Sequence, residues 1–142
     1  MSTLSHPLTY ADLERERETR DERLELIEGE ICVTPSPTPF HQLVSRRLNR
    51  LLDHAVPDPS AGLVYYAPLD VHLDDATVLQ PDLLVLLGER ARYSGDTGIQ
   101  GPPTLVIEIT SPSTAARDSL IKRDLNARHG VTEYWVVFPD GG

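Results

Sequence analysis

Two short apolar runs, Val78–Leu87 and Pro103–Ser111, dominate the hydrophobic pattern. Both are rich in Val, Ile and Leu and bounded by Gly and Pro, which predicts buried strands. Around them the pattern predicts a helix capped by Thr9, with Asp12 in its first turn, and a charge-dense solvated helix and loop to Arg23. Leu24–Thr34 reads as two short strands about a tight turn at Glu28-Gly29, and Pro35–Pro39 as a loop. Phe40–Ala55 is predicted as an amphipathic helix, with Val44, Leu48, Leu51, Leu52 and Ala55 on one stripe. His41 heads that stripe, while Arg46, Arg47 and Arg50 point elsewhere. Leu63–Leu73 is predicted as one strand bent at Pro68, turning at Asp74-Asp75 into the Val78–Leu87 strand, and 88–102 as a surface loop. After the second apolar run, Ser113 or Thr114 caps a helix that runs to about His129 and stops at Gly130. A last strand covers Glu133–Phe138. The order is an α/β arrangement with a mixed central sheet flanked by helices and an N-terminal helix and strand pair.

Composition narrows the class. The 142 residues suit a single domain, 39% hydrophobic and 25% charged residues suit an ordinary globular one, and no apolar run approaches a membrane span. The N-terminus lacks a basic region followed by an apolar one, so no signal peptide is expected. The single cysteine, Cys32, excludes an internal disulfide, suits a reducing cytoplasm and reads as a small core residue. The net charge of −9 argues against broad nonspecific nucleic-acid binding, although a local basic surface is compatible with it.

Each apolar run carries a carboxylate that burial should disfavour, Asp82 in the first and Glu108 in the second. If the strands are antiparallel neighbours, the two carboxylates meet at one edge of the sheet, and a divalent metal is the common remedy for their repulsion. In the following helix, Asp118, Ile121, Lys122, Leu125 and His129 share one narrow face at about 100° per residue. Ile121 and Leu125 are expected to point to the core, which turns Lys122 toward the sheet and the two carboxylates. A lysine there can orient or deprotonate a water, or steady charge developing on a phosphate.

Pro81-Asp82 followed by Glu108-Ile-Thr110 on neighbouring strands resembles the PD-(D/E)XK nuclease superfamily, and the chain more closely resembles the Uma-two family of restriction-endonuclease-like proteins. The matching pieces are Glu25–Glu30, Ser36-Pro37 with His41, Gln80–Asp82, Val106–Thr114, Asp118 with Lys122, and Gly130–Trp135, in order over most of the chain. The resemblance implies a restriction-endonuclease-like core in which Asp82 and Glu108 bind Mg²⁺, with Mn²⁺ as a substitute, to hydrolyse DNA. Thr110 stands where the superfamily places its lysine, and the resemblance assigns that role to Lys122. His41 is a further catalytic candidate, Glu25 and Glu28 are candidates for the rim of the same site, and Asp118 either joins it or pairs with Lys122 at i, i+4. Family members usually continue past the Tyr-Trp strand, so a further C-terminal strand or a homodimer contact is expected beyond Gly142. The rival readings are a nuclease-fold module that cuts little and serves nucleic-acid or protein interaction, and a small-molecule metalloenzyme.

Overall fold

The computed structural model describes residues 6–110 and 112–139, without the side chains of 112–119. Helix α1 (Tyr10–Thr19) starts where Thr9 predicts: its amide and hydroxyl both donate to the Asp12 carboxylate, at 2.8 and 3.2 Å. Strands β1 (Arg23–Ile27) and β2 (Glu30–Thr34) form an antiparallel hairpin. Its two turn residues, Glu28 (φ 49°) and Gly29 (φ 83°), are left-handed, which matches the twist of a two-residue hairpin. A side chain at Gly29 would also strike Pro7, 2.2 Å from where its Cβ would stand. Helix α2 (Pro39–Ala55) begins one residue earlier than expected. Pro39 takes the first helical position, where no N–H is needed, and Thr38 Oγ1 accepts the His41 amide at 3.1 Å.

The strand expected over Leu63–Leu73 is two strands in different sheets. β3 (Gly62–Tyr66) ends before a cis Ala67-Pro68 bond, and β4 (Val71–Asp74) starts after it. Val78–Leu87 divides likewise, into β5 (Thr77–Leu79) and β6 (Leu83–Leu87), because Pro81 cannot donate to a ladder. The 88–102 segment contains a 3-10 turn (Gly88–Tyr93) and the short strands β7 (Ser94–Gly95) and β8 (Gly98–Ile99). Then follow β9 (Leu105–Ile109), α3 (Pro112–Arg128) and β10 (Glu133–Val137). The mixed α/β class is as expected, but the strands form two sheets, ordered β2-β1-β5-β4-β8-β7 and β10-β9-β6-β3.

Three apolar clusters hold the layers together. Val44, Leu48 and Leu52 of α2 cover Leu83, Val85, Leu105, Ile107 and Ile109 on one face of the second sheet. Leu84 and Leu86, pointing the other way from β6, meet Val71 and Ile99 of the first sheet. Leu13 of α1 packs on Leu24, Leu26 and Val78 at the first sheet's far side. Two stripe members depart from the sequence reading: Leu51 is 65% exposed and Ala55 is also exposed. Cys32 is half-buried on the hairpin rather than in the core. Arg17 is not a solvated helix residue. Its guanidinium bonds both oxygens of the buried Asp70, at 2.8 and 2.9 Å, and the Leu24 carbonyl at 2.9 Å.

Helix α3 ends at a left-handed Gly130 (φ 96°), as expected, with the Val131 amide returning to the Asn126 carbonyl at 3.0 Å. His129 clasps this end to the β4–β5 turn, with Nδ1 on the Leu125 carbonyl at 2.8 Å and Nε2 on Asp74 Oδ2 at 2.9 Å. Burial would lower the His129 pKa, but the Leu125 carbonyl and Asp74 outweigh it and raise the value above 6.5. Burial would raise the Asp74 pKa, but the His129 and Ala76 hydrogen bonds outweigh it and lower the value. The clasp therefore contributes fully between about pH 4 and 6.5. It weakens as pH rises through the raised His129 value, or falls through the lowered Asp74 value. Because Asp74 is half exposed, the gain is below about 1 kcal/mol. Urea denaturation between pH 6 and 8 should show this loss in the parent and not in His129→Gln, and an identical slope in both would refute the clasp.

Candidate active site

β6 and β9 run antiparallel, with Leu83 opposite Ile107 and Leu84 opposite Val106. One step further along this register, Asp82 comes opposite Glu108, so the two carboxylates meet at one end of the central strand pair as the strand reading required. Asp82 is 7% exposed. Its Oδ2 accepts the Ile109 amide at 2.7 Å, and its Oδ1 lies 3.2 Å from His41 Nε2. The first turn of α2 therefore reaches the sheet end, and His41 faces Asp82 as its position on the stripe predicts.

Lys122 completes the group from α3. Its ammonium is 2.9 Å from Glu25 Oε1 and 3.5 Å from Glu108 Oε2. The inward face of α3 differs in detail from the sequence reading, since Ile121 is 48% exposed while Leu125 and Asn126 are buried. Asn126 Nδ2 caps the Lys122 carbonyl at 2.8 Å. The Asp118 side chain lies outside the described residues.

Glu25 is the residue that sequence reasoning underrated. It is 1% exposed; Oε2 accepts the Gln80 amide at 2.7 Å and Oε1 accepts from Lys122. The signal was present, a carboxylate between Leu24 and Leu26 in an alternating strand, but only the packing of one sheet on the other shows that its face is closed. Glu28, in contrast, bonds Arg128 at the surface and takes no part. Gln80 was also missed as a structural link: its side chain donates to Asp70 Oδ1 at 3.0 Å, tying the loop before Asp82 to the Arg17–Asp70 pair.

The electrostatics follow from Glu25 and Glu108 on one ammonium, with Asp82 beside Glu108. Burial pushes the Glu108 carboxyl up to about 8 against the pull of Lys122, and Asp82 and Glu25 add to the rise. Burial would lower the Lys122 pKa, but Glu108 and Glu25 outweigh it and raise the value, so the amine stays protonated. Burial and the nearby Glu108 also raise the Tyr134 phenol. Tyr134 pairs with Val106 in the parallel β9–β10 ladder, two residues from Glu108 on the same face. His41 Nδ1 and Tyr134 Oη are buried without a hydrogen-bond partner among the described residues, and both residues adjoin this cluster.

A family model, Uma2, described as "Putative restriction endonuclease", matches residues 8–142. Among solved structures, the chain is similar to a crystal structure described as a "putative nuclease belonging to DUF820" from Anabaena variabilis ATCC 29413. The two share 21% identity with a TM-score of 0.74, over 94% of this chain and 75% of the other, a likeness of fold. No curated protein matches this chain.

Proposed function

The match over residues 8–142 makes this chain a member of the Uma2 family, and on that premise we propose that it is a metal-dependent nuclease hydrolysing phosphodiester bonds in DNA. The observation that carries the reading is the convergence of Glu25 and Glu108 on the single Lys122 ammonium, with Asp82 opposite Glu108 at the end of the β6–β9 pair.

The residues present fit a hard divalent cation. All the acidic donors are carboxylate oxygens, and one ammonium leaves them with excess negative charge. Glu25 is committed to Lys122 and the Gln80 amide, which leaves Asp82 and Glu108 to hold Mg²⁺, or Mn²⁺ in its place. Among the described residues no three His, Cys, Asp or Glu side chains form a closed cage, and Mg²⁺ commonly takes only one or two protein carboxylates. When bound, the cation would supply Lewis acidity and neutralise charge at the phosphate.

The chain's own groups divide the remaining work. Lys122, held protonated, is a charge and hydrogen-bond donor rather than a base, suited to steadying negative charge as the phosphorus centre becomes five-coordinate. Its two carboxylate partners fix the ammonium beside Glu108. Through its contact with Asp82 Oδ1, His41 orients that carboxylate, while the Ile109 amide holds the other oxygen.

Calorimetric titration with Mn²⁺ should give binding heat for the parent and none for Asp82→Ala, and equal heats would remove Asp82 from the site. Cleavage of supercoiled plasmid in Mg²⁺ tests the reaction itself. The net charge of −9 favours a rival, a module that keeps the fold and cuts little. Intact Mn²⁺ binding with no cleavage of any DNA form would favour that rival.

A further inference from the structure

The chain has 13 Lys and Arg residues in a background of 22 Asp and Glu. Arg117 lies outside the described side chains. Of the other 12, all but Arg23, Arg46, Arg47 and Arg50 are held by protein partners, as Arg17 is by Asp70 and Arg90 by the Pro102, Pro103 and Gly130 carbonyls. Three of those four lie within five residues of one helix, α2, and all three are exposed. At 100° per residue Arg46 and Arg50 occupy the side opposite Val44, Leu48 and Leu52, which are committed to the sheet, and Arg47 lies on the flank between. The single carboxylate of α2, Asp53, lies on the same side as Arg46 and Arg50, but its partner is Asn49 at 3.5 Å and it forms no ion pair with them. A protein with an acidic surface thus carries one uncompensated basic face.

That face is fixed relative to the candidate site, because the first turn of the same helix delivers His41 to Asp82. Arg46 and Arg50 follow His41 by about 7.5 and 13.5 Å along the axis and stand on the other side of the helix from it, so they would hold duplex that passes over the outer side of α2 beyond the site. We propose that the outer face of α2, through Arg46, Arg47 and Arg50, is a docking surface for the phosphate backbone of duplex DNA flanking the scissile bond. The proposal rests on the nuclease reading and adds where the substrate is held. Charge complementarity selects the occupant: the arginines can each take a phosphate in two-pronged fashion, and backbone contacts of this kind carry no base preference. They also reconcile a net charge of −9 with a polyanionic substrate, since the repulsion is spread over the molecule and the attraction is local.

The test is binding of a short fluorescein-labelled duplex by anisotropy across a salt series, in chelator so that no turnover intervenes. The variants are Arg46→Gln/Arg47→Gln/Arg50→Gln and, as an equal change in net charge elsewhere, Arg15→Gln/Arg92→Gln/Arg128→Gln. The first should lower the slope of log affinity against log salt by about 2.7, three phosphate contacts at about 0.9 each. It should weaken duplexes of unrelated sequence alike, while the second leaves the slope in place. Equal slopes for the parent and the α2 variant, or an equal drop in both variants, would overturn the docking surface while leaving the nuclease reading standing. Loss of self-association rather than of DNA binding in the α2 variant would make the face, with its exposed Phe40, Leu43 and Leu51, a contact between copies of this chain and would also overturn the proposal. A parent that neither binds nor cleaves DNA would remove the nuclease reading itself.

Discussion

Replacing Lys122 with Met is expected to lower plasmid cleavage in Mg²⁺ by about a thousandfold, the scale set by removing one preorganised charge-stabilising donor. Lys122 is the cation nearest Glu108 among the described side chains, and its ammonium is placed by two carboxylates at 2.9 and 3.5 Å. Met keeps most of the stem and deletes the charge, leaving Glu25 and Glu108 facing each other without compensation. The variant should therefore also be less stable, and more of that loss should be recovered by divalent metal than in the parent. Circular dichroism at the assay temperature separates an unfolded variant from a folded, inactive one. Cleavage by folded Lys122→Met at the parent's rate would end the assignment of Lys122 to the reaction. Thr110 cannot take its place, because it shares the Glu108 face of β9 but carries no charge.

Glu25→Ala is expected to cost the most stability, about 3–5 kcal/mol, the range for removing one partner of a buried ion pair. Three effects combine. The Gln80 amide loses the acceptor it holds at 2.7 Å, Lys122 keeps only the 3.5 Å contact with Glu108, and the space between the two sheets is left unfilled. Because Gln80 lies two residues before Asp82, the same change should loosen the carboxylate proposed to hold the metal, and activity should fall even in molecules that remain folded. Glu25→Gln retains an acceptor for the Gln80 amide and should recover part of the stability without restoring full activity. Urea denaturation gives the comparison. A cost for Glu25→Ala below about 1 kcal/mol would mean that the Glu25–Lys122 contact is incidental.

Much of this arrangement was legible in the chain. Asp82 and Glu108 stand out because a strand of Leu, Val and Ile has no structural use for an ionised group. The helix phase that placed Lys122 inward was sound even though Ile121 turned out exposed, because Leu125 and Asn126 fix the same face. His41 was recoverable because it heads the apolar stripe of α2, and that stripe faces the sheet. The two-sheet division was less legible. Pro68 and Pro81 interrupt their strands, but an interruption reads equally as a bend within one sheet or as a passage to another.

What the sequence by itself determined were properties that depend on neighbours in the chain: the helix start at Thr9, the hairpin turn at Glu28-Gly29, the stop at Gly130, and the unexpected carboxylates in apolar strands. Tertiary structure alone decided which groups meet. Glu25 and Lys122 are 97 residues apart and Arg17 and Asp70 are 53 apart. Local pattern shows that a strand has a polar face, but not whether another layer closes over it. Glu25 is buried only because the hairpin sheet comes against α3 and the β6–β9 pair, and burial converts an ordinary surface carboxylate into the partner that holds Lys122 in place.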